Sequence, residues 1–246
     1  MLQNSITVGD GPAELQALQI LALSLVEAAS RLSPAIKPDT TPGVPLSPEV
    51  VVAPLLVAGA RALSLGYFAG PETPIEVLAL SVRNTFEIWF RLLHLLESDG
   101  NRQAWRNEAI TDQIQIYEAM LKLQAPSNVK SAIQGEIERI EREAAVRGLS
   151  RAKGPLMMSD LVKGKQYKGE YDAFYKLYSK LVHPSAWFVN MPTAVGSEMY
   201  HTTLIVNAQV YGWHILKIVE DRFGISSDQC RQIAIAQLQA PRAVIN

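Results

Sequence analysis

One stretch of the chain decides the fold class, and from Thr73 to Ser98 it reads TPIEVLALSVRNTFEIWFRLLHLLES. Its apolar residues recur every three or four positions, which is the spacing of one buried face of an α-helix. A threonine and a proline open the stretch, and Glu76 follows three residues after the threonine, a pattern typical of a helix start. Asp99 and Gly100 then break the pattern. We therefore predict a long amphipathic helix that ends at about Ser98.

The same spacing and the same start and stop residues recur along the rest of the chain. Strand signals are scarce, because no Asn-Gly or Asp-Gly turn lies between two alternating β-branched runs. The sequence therefore predicts an all-α fold, a multi-helix bundle of about seven to eight helices that are mostly up-and-down. We expect further helices at residues 10–32, from Ser47 onwards, and at residues 101–124, 128–147, 159–163, 170–183, 197–223 and 226–239.

We predict that the helices form one domain, which covers residues 1–246. Residues 1–46 hold the first helix and a connector with four prolines, Ser33–Pro45, which we expect to be extended and exposed. Residues 47–223 form the core of the bundle, and residues 224–246 hold the last helix. No linker separates two independent halves.

Composition narrows the class of protein. Hydrophobic residues make up 48% of the chain, which suffices for a substantial core, and the net charge of −1 lacks the basic excess of a general nucleic-acid binder. The apolar run Val50–Gly70 is long enough to span a bilayer. Arg61 lies near its middle, where a charge costs roughly 2.5–3.5 kcal/mol, and Pro54 lies in its first part. We therefore expect a buried central helix, no membrane association and, without a signal peptide, a cytoplasmic location.

The helix that opened this description carries a polar face of its own. Arg83, Glu87 and Arg91 follow one another at intervals of four residues, so they lie on one side of the helix. One interpretation is a solvated face, whose ion pairs contribute only ~0.2–0.5 kcal/mol each. The other is a ladder that lines a groove, where Arg83 binds an anion and Glu87 orients it.

A second polar face lies on the helix predicted at residues 170–183. Tyr175, Lys176, Ser179 and His183 fall on the side opposite its apolar residues. Pro184 disfavours helical backbone at His183 and therefore places the imidazole at the end of the helix. One interpretation is a capping histidine that binds the last carbonyls. The other is a functional histidine that faces the helix of Arg83.

Other chemistry-bearing patterns are weak. His201 and His214 lie thirteen residues apart, a spacing that suits no common metal motif, and Cys230 is the single cysteine. The sequence carries no Gly-rich phosphate loop, nucleophile elbow or zinc-protease motif. We expect neither a metal site nor a cofactor.

The segments Arg83–Glu87 (RNTFE) and Tyr175–Ser185 (YKLYSKLVHPS) resemble an uncharacterised bacterial family. Its members are helical proteins with an Arg…Phe-Glu helix and a Tyr…Ser…His-Pro helix. More distantly, the predicted arrangement of helices resembles the HEPN superfamily of bacterial defence and toxin–antitoxin systems. That resemblance implies a homodimer with metal-independent endoribonuclease activity. The sequence departs from the HEPN signature, because Lys176 and Lys180 stand where an arginine precedes the histidine.

If the activity is present, we expect His183 to take the proton of the ribose 2′-hydroxyl. Arg83 or Lys176 would stabilise the charge on the phosphorane, and Glu87 would hold the arginine or the histidine. The surplus of lysines along Lys163–Lys180 favours RNA or another anionic partner.

Two other functions remain open. The protein is a non-enzymatic interaction or scaffold protein if the Arg83, Glu87 and His183 side chains form a structural network. It is a small-molecule-binding bundle if Tyr175, Tyr178 and Trp89 line an apolar cavity.

Overall fold

The computed structural model describes residues 11–35, 47–68, 74–163, 167–191 and 196–240. The described residues are 85% helical, and they contain no strand and eight helices of seven or more residues. The predicted fold class, an all-α multi-helix bundle, is therefore confirmed.

The helices begin and end within a few residues of the predicted positions. In chain order they are α1 Gly11–Leu32, α2 Pro48–Phe68, α3 Ile75–Glu97, α4 Asp99–Leu121, α5 Ser127–Val146, α6 Met158–Val162, α7 Lys168–Glu170, α8 Lys176–Val182, α9 Ala186–Asn190, α10 Glu198–Phe223 and α11 Ser227–Gln239.

Helix α3 lies at the centre of the bundle, and its apolar face is therefore buried. Val82, Phe86, Phe90 and Leu92 are each 0% exposed. The helix packs against α2 and α4, its neighbours in the chain, and against α8 and α10. Helices α1 and α11 pack on each other at the side of this group. The polar face of α3 is therefore directed outward, beside α8.

Helices α4 and α5 form a hairpin with a small core of its own. Ile114, Ile137 and Ile140 are buried against each other in it, apart from the main cluster of buried residues. The structure describes few other buried residues on α5, whose outer face carries the ion pairs of Arg139 with Glu136 and Glu143. This agrees with the mixed-sign surface typical of a solvated helix.

Three local predictions need correction. Ser33–Ala35 forms a turn of 3-10 helix, because the Ser33 hydroxyl donates to the Ala29 carbonyl and prolongs α1. The rest of the predicted connector and the predicted cap Thr73 lie outside the described residues. The helix predicted at residues 170–183 is not uniform, since Tyr171–Tyr175 forms a π-helical turn between α7 and α8. Helix α9 was not predicted; the Ser185 hydroxyl caps it by accepting from the Phe188 N–H at 3.2 Å.

Within the part of the chain that the structure describes, two helical stretches are long and apolar enough to cross a membrane, judged by length and composition alone. They are Leu15–Ala35 and Pro48–Tyr67. In this fold both pack against other helices, with 44% and 56% of their apolar windows buried. The remaining exposed part of α2 faces a groove that is described below.

Candidate functional site

The site lies where α3 passes α8. Arg83 and Glu87 are one turn apart on α3, Tyr175 is the last residue of the π-helical turn, and His183 follows the last residue of α8. His183 has extended backbone, with φ −105° and ψ 148°, as the following proline predicts. The two elements are held together beneath the site by Phe86 and Tyr178, both 0% exposed, whose ring centroids are 6.4 Å apart.

Four side chains converge at this place, and we name them the Arg83 cluster: Arg83, Glu87, Tyr175 and His183. Arg83 Nε donates to Glu87 Oε1 at 3.0 Å, and Arg83 Nη2 donates to the Tyr175 hydroxyl at 3.1 Å. The Tyr175 hydroxyl donates in turn to Glu87 Oε1 at 2.9 Å. Arginine, carboxylate and phenol therefore form a closed triangle of hydrogen bonds.

His183 joins the triangle through the arginine. Arg83 Nη1 lies 3.4 Å from His183 Nε2. A guanidinium has only donors, so at this contact the lone pair of Nε2 accepts and the proton of a neutral ring lies on Nδ1. His183 is exposed, and its accepting nitrogen is therefore next to both the cation and the solvent.

The cluster lies at the surface without being freely solvated. The side chains of Arg83 and Glu87 are 24% and 34% exposed. Burial opposes the charge of Arg83, yet Tyr175 and Glu87 hold the pKa of its guanidinium above the usual range. Burial and the hydrogen bond to Glu87 raise the pKa of the Tyr175 phenol, which therefore remains a donor at neutral pH.

Neighbouring aromatic rings pack against the ring of Tyr175 and hold it in place. The Tyr171 ring stacks on the Tyr175 ring with centroids 4.9 Å apart, and the Phe86 ring lies 5.9 Å away. The Arg83 guanidinium also lies 5.2 Å from the centroid of the Tyr175 ring. The sequence prediction did not include Tyr171 in the site, although its spacing of four residues from Tyr175 is the signal that points to it.

The other predicted site residues lie outside the cluster. Lys176 is exposed and forms no hydrogen bond or ion pair with the residues that the structure describes; with the closer Lys168 it lowers the pKa of the Asp172 carboxyl. Ser179 is half-buried, and its carbonyl accepts from the His183 backbone N–H at 3.2 Å.

Arg91 belongs to a different network. Its Nη1 donates to Glu108 Oε2 on α4 at 3.3 Å, and its guanidinium lies 4.3 Å from the centroid of the Trp105 ring. The Arg-Glu-Arg ladder is therefore interrupted, because Glu87 pairs with Arg83 while Arg91 turns toward α4.

An aromatic cluster fills the space behind the site. Tyr178 and Trp89 are 0% and 2% exposed, and Trp89 stacks on Tyr211 and on His214. The Tyr178 hydroxyl lies 3.0 Å from the Tyr211 hydroxyl and accepts from Asn207 Nδ2 at 2.8 Å. The packing of these rings argues against the apolar cavity that would make the protein a ligand binder at this place.

Among the described residues, no group of three or more His, Cys, Asp or Glu side chains is placed to hold a metal ion. Comparison with family models, with curated proteins and with solved structures gave no match. The function is therefore inferred from the geometry of the Arg83 cluster.

Proposed function

We propose that the Arg83 cluster binds a phosphodiester of RNA and cleaves it, with the ribose 2′-hydroxyl as nucleophile. One observation carries the proposal: the Nε2 nitrogen of an exposed imidazole lies 3.4 Å from a guanidinium that a carboxylate and a phenol hold in place. A base beside a fixed cation is the pair that this reaction requires.

The proposed reaction assigns a role to each group. His183 Nε2 takes the proton of the 2′-hydroxyl while the 2′-oxygen forms a bond to phosphorus. The bond from phosphorus to the 5′-oxygen breaks, and the leaving 5′-oxygen takes a proton from water. The hydroxide so formed takes the proton back from His183, which returns the imidazole to its neutral form. The products are a 2′,3′-cyclic phosphate and a 5′-hydroxyl. Arg83 donates to the non-bridging oxygens, on which negative charge develops.

Glu87 and Tyr175 are positioning residues in this scheme. They hold the Nε and Nη2 donors of Arg83, while Nη1 contacts His183 Nε2. In the proposed complex Nη1 donates to the bound phosphate instead, which frees the Nε2 lone pair to take the proton. Fixing the fork before the substrate arrives reduces the entropy lost on binding.

The surface around the cluster supports an anionic substrate. Lys163, Lys168, Lys176 and Lys180 are exposed on the chain segment that carries Tyr175 and His183. Asp172 and Glu170 are the acids on the same segment, and Asp172 is paired with Lys168. We expect binding to weaken as salt rises, in proportion to the number of phosphates contacted. With the HEPN resemblance, such an activity fits a bacterial stress or defence protein of the cytoplasm.

The test uses the full chain and two matched strands. A single-stranded RNA and the same sequence made as DNA are incubated with the protein in the presence of a chelator. We expect cleavage of the RNA alone, with 2′,3′-cyclic phosphate ends. Cleavage of both strands, loss of cleavage on chelation, or intact RNA at micromolar protein would contradict the proposal.

The same contacts favour a second candidate function, a structural clamp. All three donor nitrogens of Arg83 already have a partner within the protein, and two of those partners lie on or next to α8. A clamp of this kind ties α8 to α3 in a non-enzymatic interaction protein. It predicts loss of stability, with no effect on RNA, when Arg83 is replaced.

A further inference from the structure

An open groove lies between α2 and α4, with α3 as its floor. Its larger section has a volume of about 640 Å³ and is lined mainly by apolar side chains, among them Leu55, Leu65, Ile88 and Trp105. A second section of about 410 Å³ shares Leu55 and Trp105 with the first and continues toward Val50, with Arg106 and Arg147 also in its lining. Sites for small ligands commonly have a volume of about 300–1,000 Å³ and an apolar lining.

Helix α2 leaves an apolar face without a partner in this groove. Leu65 is 42% exposed there. Pro54 has no N–H to donate, so the Val50 carbonyl loses its helical partner, and both residues line the second section. Burying apolar surface in the groove is therefore favourable for any ligand that fits it.

Two polar side chains in the larger section have no hydrogen-bond partner among the described residues. Arg61 is the only charged residue of α2 after Glu49, and it lines the groove together with Asn84 of α3. Within the part of the chain that the structure describes, neither side chain forms a hydrogen bond or an ion pair.

The other charges of the larger section are compensated. Arg91 pairs with Glu108, and Glu87 pairs with Arg83. The uncompensated charge of this section is therefore positive and sits at Arg61, beside an apolar surface. A ligand that carries both a negative charge and an apolar chain can pair with Arg61 and cover the apolar surface beside it.

We propose that the groove binds a free single-chain anionic amphiphile, namely a long-chain carboxylate. The carboxylate accepts hydrogen bonds from Arg61 and Asn84, and the alkyl chain lies along α2 toward Val50. Eleven residues separate Arg61 from Val50, about 16 Å along the helix at 1.5 Å per residue. Glu87 of the Arg83 cluster also borders the groove, but the proposal does not rest on the RNA reaction, because neither Arg61 nor the apolar lining belongs to that cluster.

Binding is measured with the full chain and monomeric carboxylates from octanoate to tetradecanoate, by calorimetry and by tryptophan fluorescence. Each pair of added methylenes is expected to tighten binding about tenfold until the chain exceeds the groove. Dodecanol and dodecyltrimethylammonium are expected to bind at least tenfold more weakly than dodecanoate. Trp105→Phe should remove the fluorescence change, because Trp105 lines both sections of the groove.

Variants locate the two ends of the ligand. Arg61→Gln is expected to weaken dodecanoate about tenfold and to leave dodecanol unchanged. Arg222→Gln, which removes an exposed arginine on α10, is the matched control and should have no effect. Ala58→Trp, which fills the larger section, should abolish binding while circular dichroism shows that the fold is kept.

Several results would overturn the proposal. They are the absence of saturable binding, equal losses in Arg61→Gln and Arg222→Gln, and binding that survives Ala58→Trp. Vesicles of anionic lipid that bind through Arg61 when monomeric dodecanoate does not would make the groove a membrane surface instead. Sedimentation that shows the groove closed between two copies of the chain would make it a dimer interface.

Discussion

The hydroxyl of Tyr175 donates a hydrogen bond of 2.9 Å to the carboxylate of Glu87, and it accepts one from the guanidinium of Arg83. This one phenol therefore joins the π-helical turn before α8 to both charged residues of α3. π-Helical turns are rare and occur often at functional sites. The turn places Tyr175 where a regular helix would not, and the cluster depends on it.

Replacing the phenol tests that dependence. Tyr175→Phe keeps the stack with Tyr171 but removes both hydrogen bonds, and we expect the free energy of unfolding to fall by about 1 kcal/mol. Tyr200→Phe is the control, because the Tyr200 hydroxyl has no hydrogen bond among the described residues. Urea unfolding measures both variants. Equal stability of the two would show that the Tyr175 hydrogen bonds contribute nothing.

The sequence predicted the helices well because their signals are local. The spacing of apolar residues on α3 and the proline after His183 each act within a few residues, and the structure confirms what they predict. The four-residue interval from Arg83 to Glu87 likewise forms an ion pair.

What the sequence could not predict depends on partners distant in the chain. Arg91 has the same spacing from Glu87 as Arg83, yet it pairs with Glu108, because α4 passes on that side of α3. The π-helical turn changes which residues lie on the same face of the helix, and no residue pattern predicted this turn. The groove lies between α2 and α4 and therefore depends on packing between helices.

The different surroundings of the two arginines give a prediction. The side chains of Arg91 and Glu108 are 16% and 12% exposed, less than those of Arg83 and Glu87, and Glu108 also accepts from the Leu156 N–H. Arg91→Met leaves a nearly buried carboxylate unpaired, so we expect a loss of about 2–3 kcal/mol. Arg83→Met should cost about 1 kcal/mol or less, because its partners remain hydrated and bonded to each other. Urea unfolding in which Arg83→Met is the more damaging change would favour the structural clamp.

Close packing of α2 on α3 gives a third prediction. A Cβ atom at Gly66 would lie 2.8 Å from the Ser81 hydroxyl, which donates to the Ala62 carbonyl. Gly66→Ala is therefore expected to destabilise the protein by about 1–3 kcal/mol through overpacking. At Gly135 on α5 nothing lies within 4 Å, and Gly135→Ala should stabilise it by about 0.5–1 kcal/mol. Thermal unfolding should show opposite shifts; shifts of the same sign would refute this packing account.

The buried tyrosines behind the site predict a loss of stability at high pH. Burial raises the pKa of Tyr211 to about 12 and also raises the pKa of Tyr178. Above pH ~10 the unfolded chain loses the phenol proton while the folded protein keeps it, so stability falls by up to about 1.4 kcal/mol per pH unit for each group. Tyr211→Phe should flatten this fall between pH 10 and 12 relative to wild type. Identical slopes for the two proteins would show that Tyr211 is not held neutral by the fold.

The most direct test of the central claim is the rate of RNA cleavage by His183→Ala, measured beside His201→Ala under single-turnover conditions. His201 is the matched control, because it is half-buried on α10 and its ring forms a hydrogen bond with the Ser197 carbonyl, outside the Arg83 cluster. Loss of the general base is expected to slow His183→Ala by about 10²- to 10⁴-fold, while His201→Ala cleaves as wild type does. Equal rates for the two variants would contradict the proposed role of the Arg83 cluster.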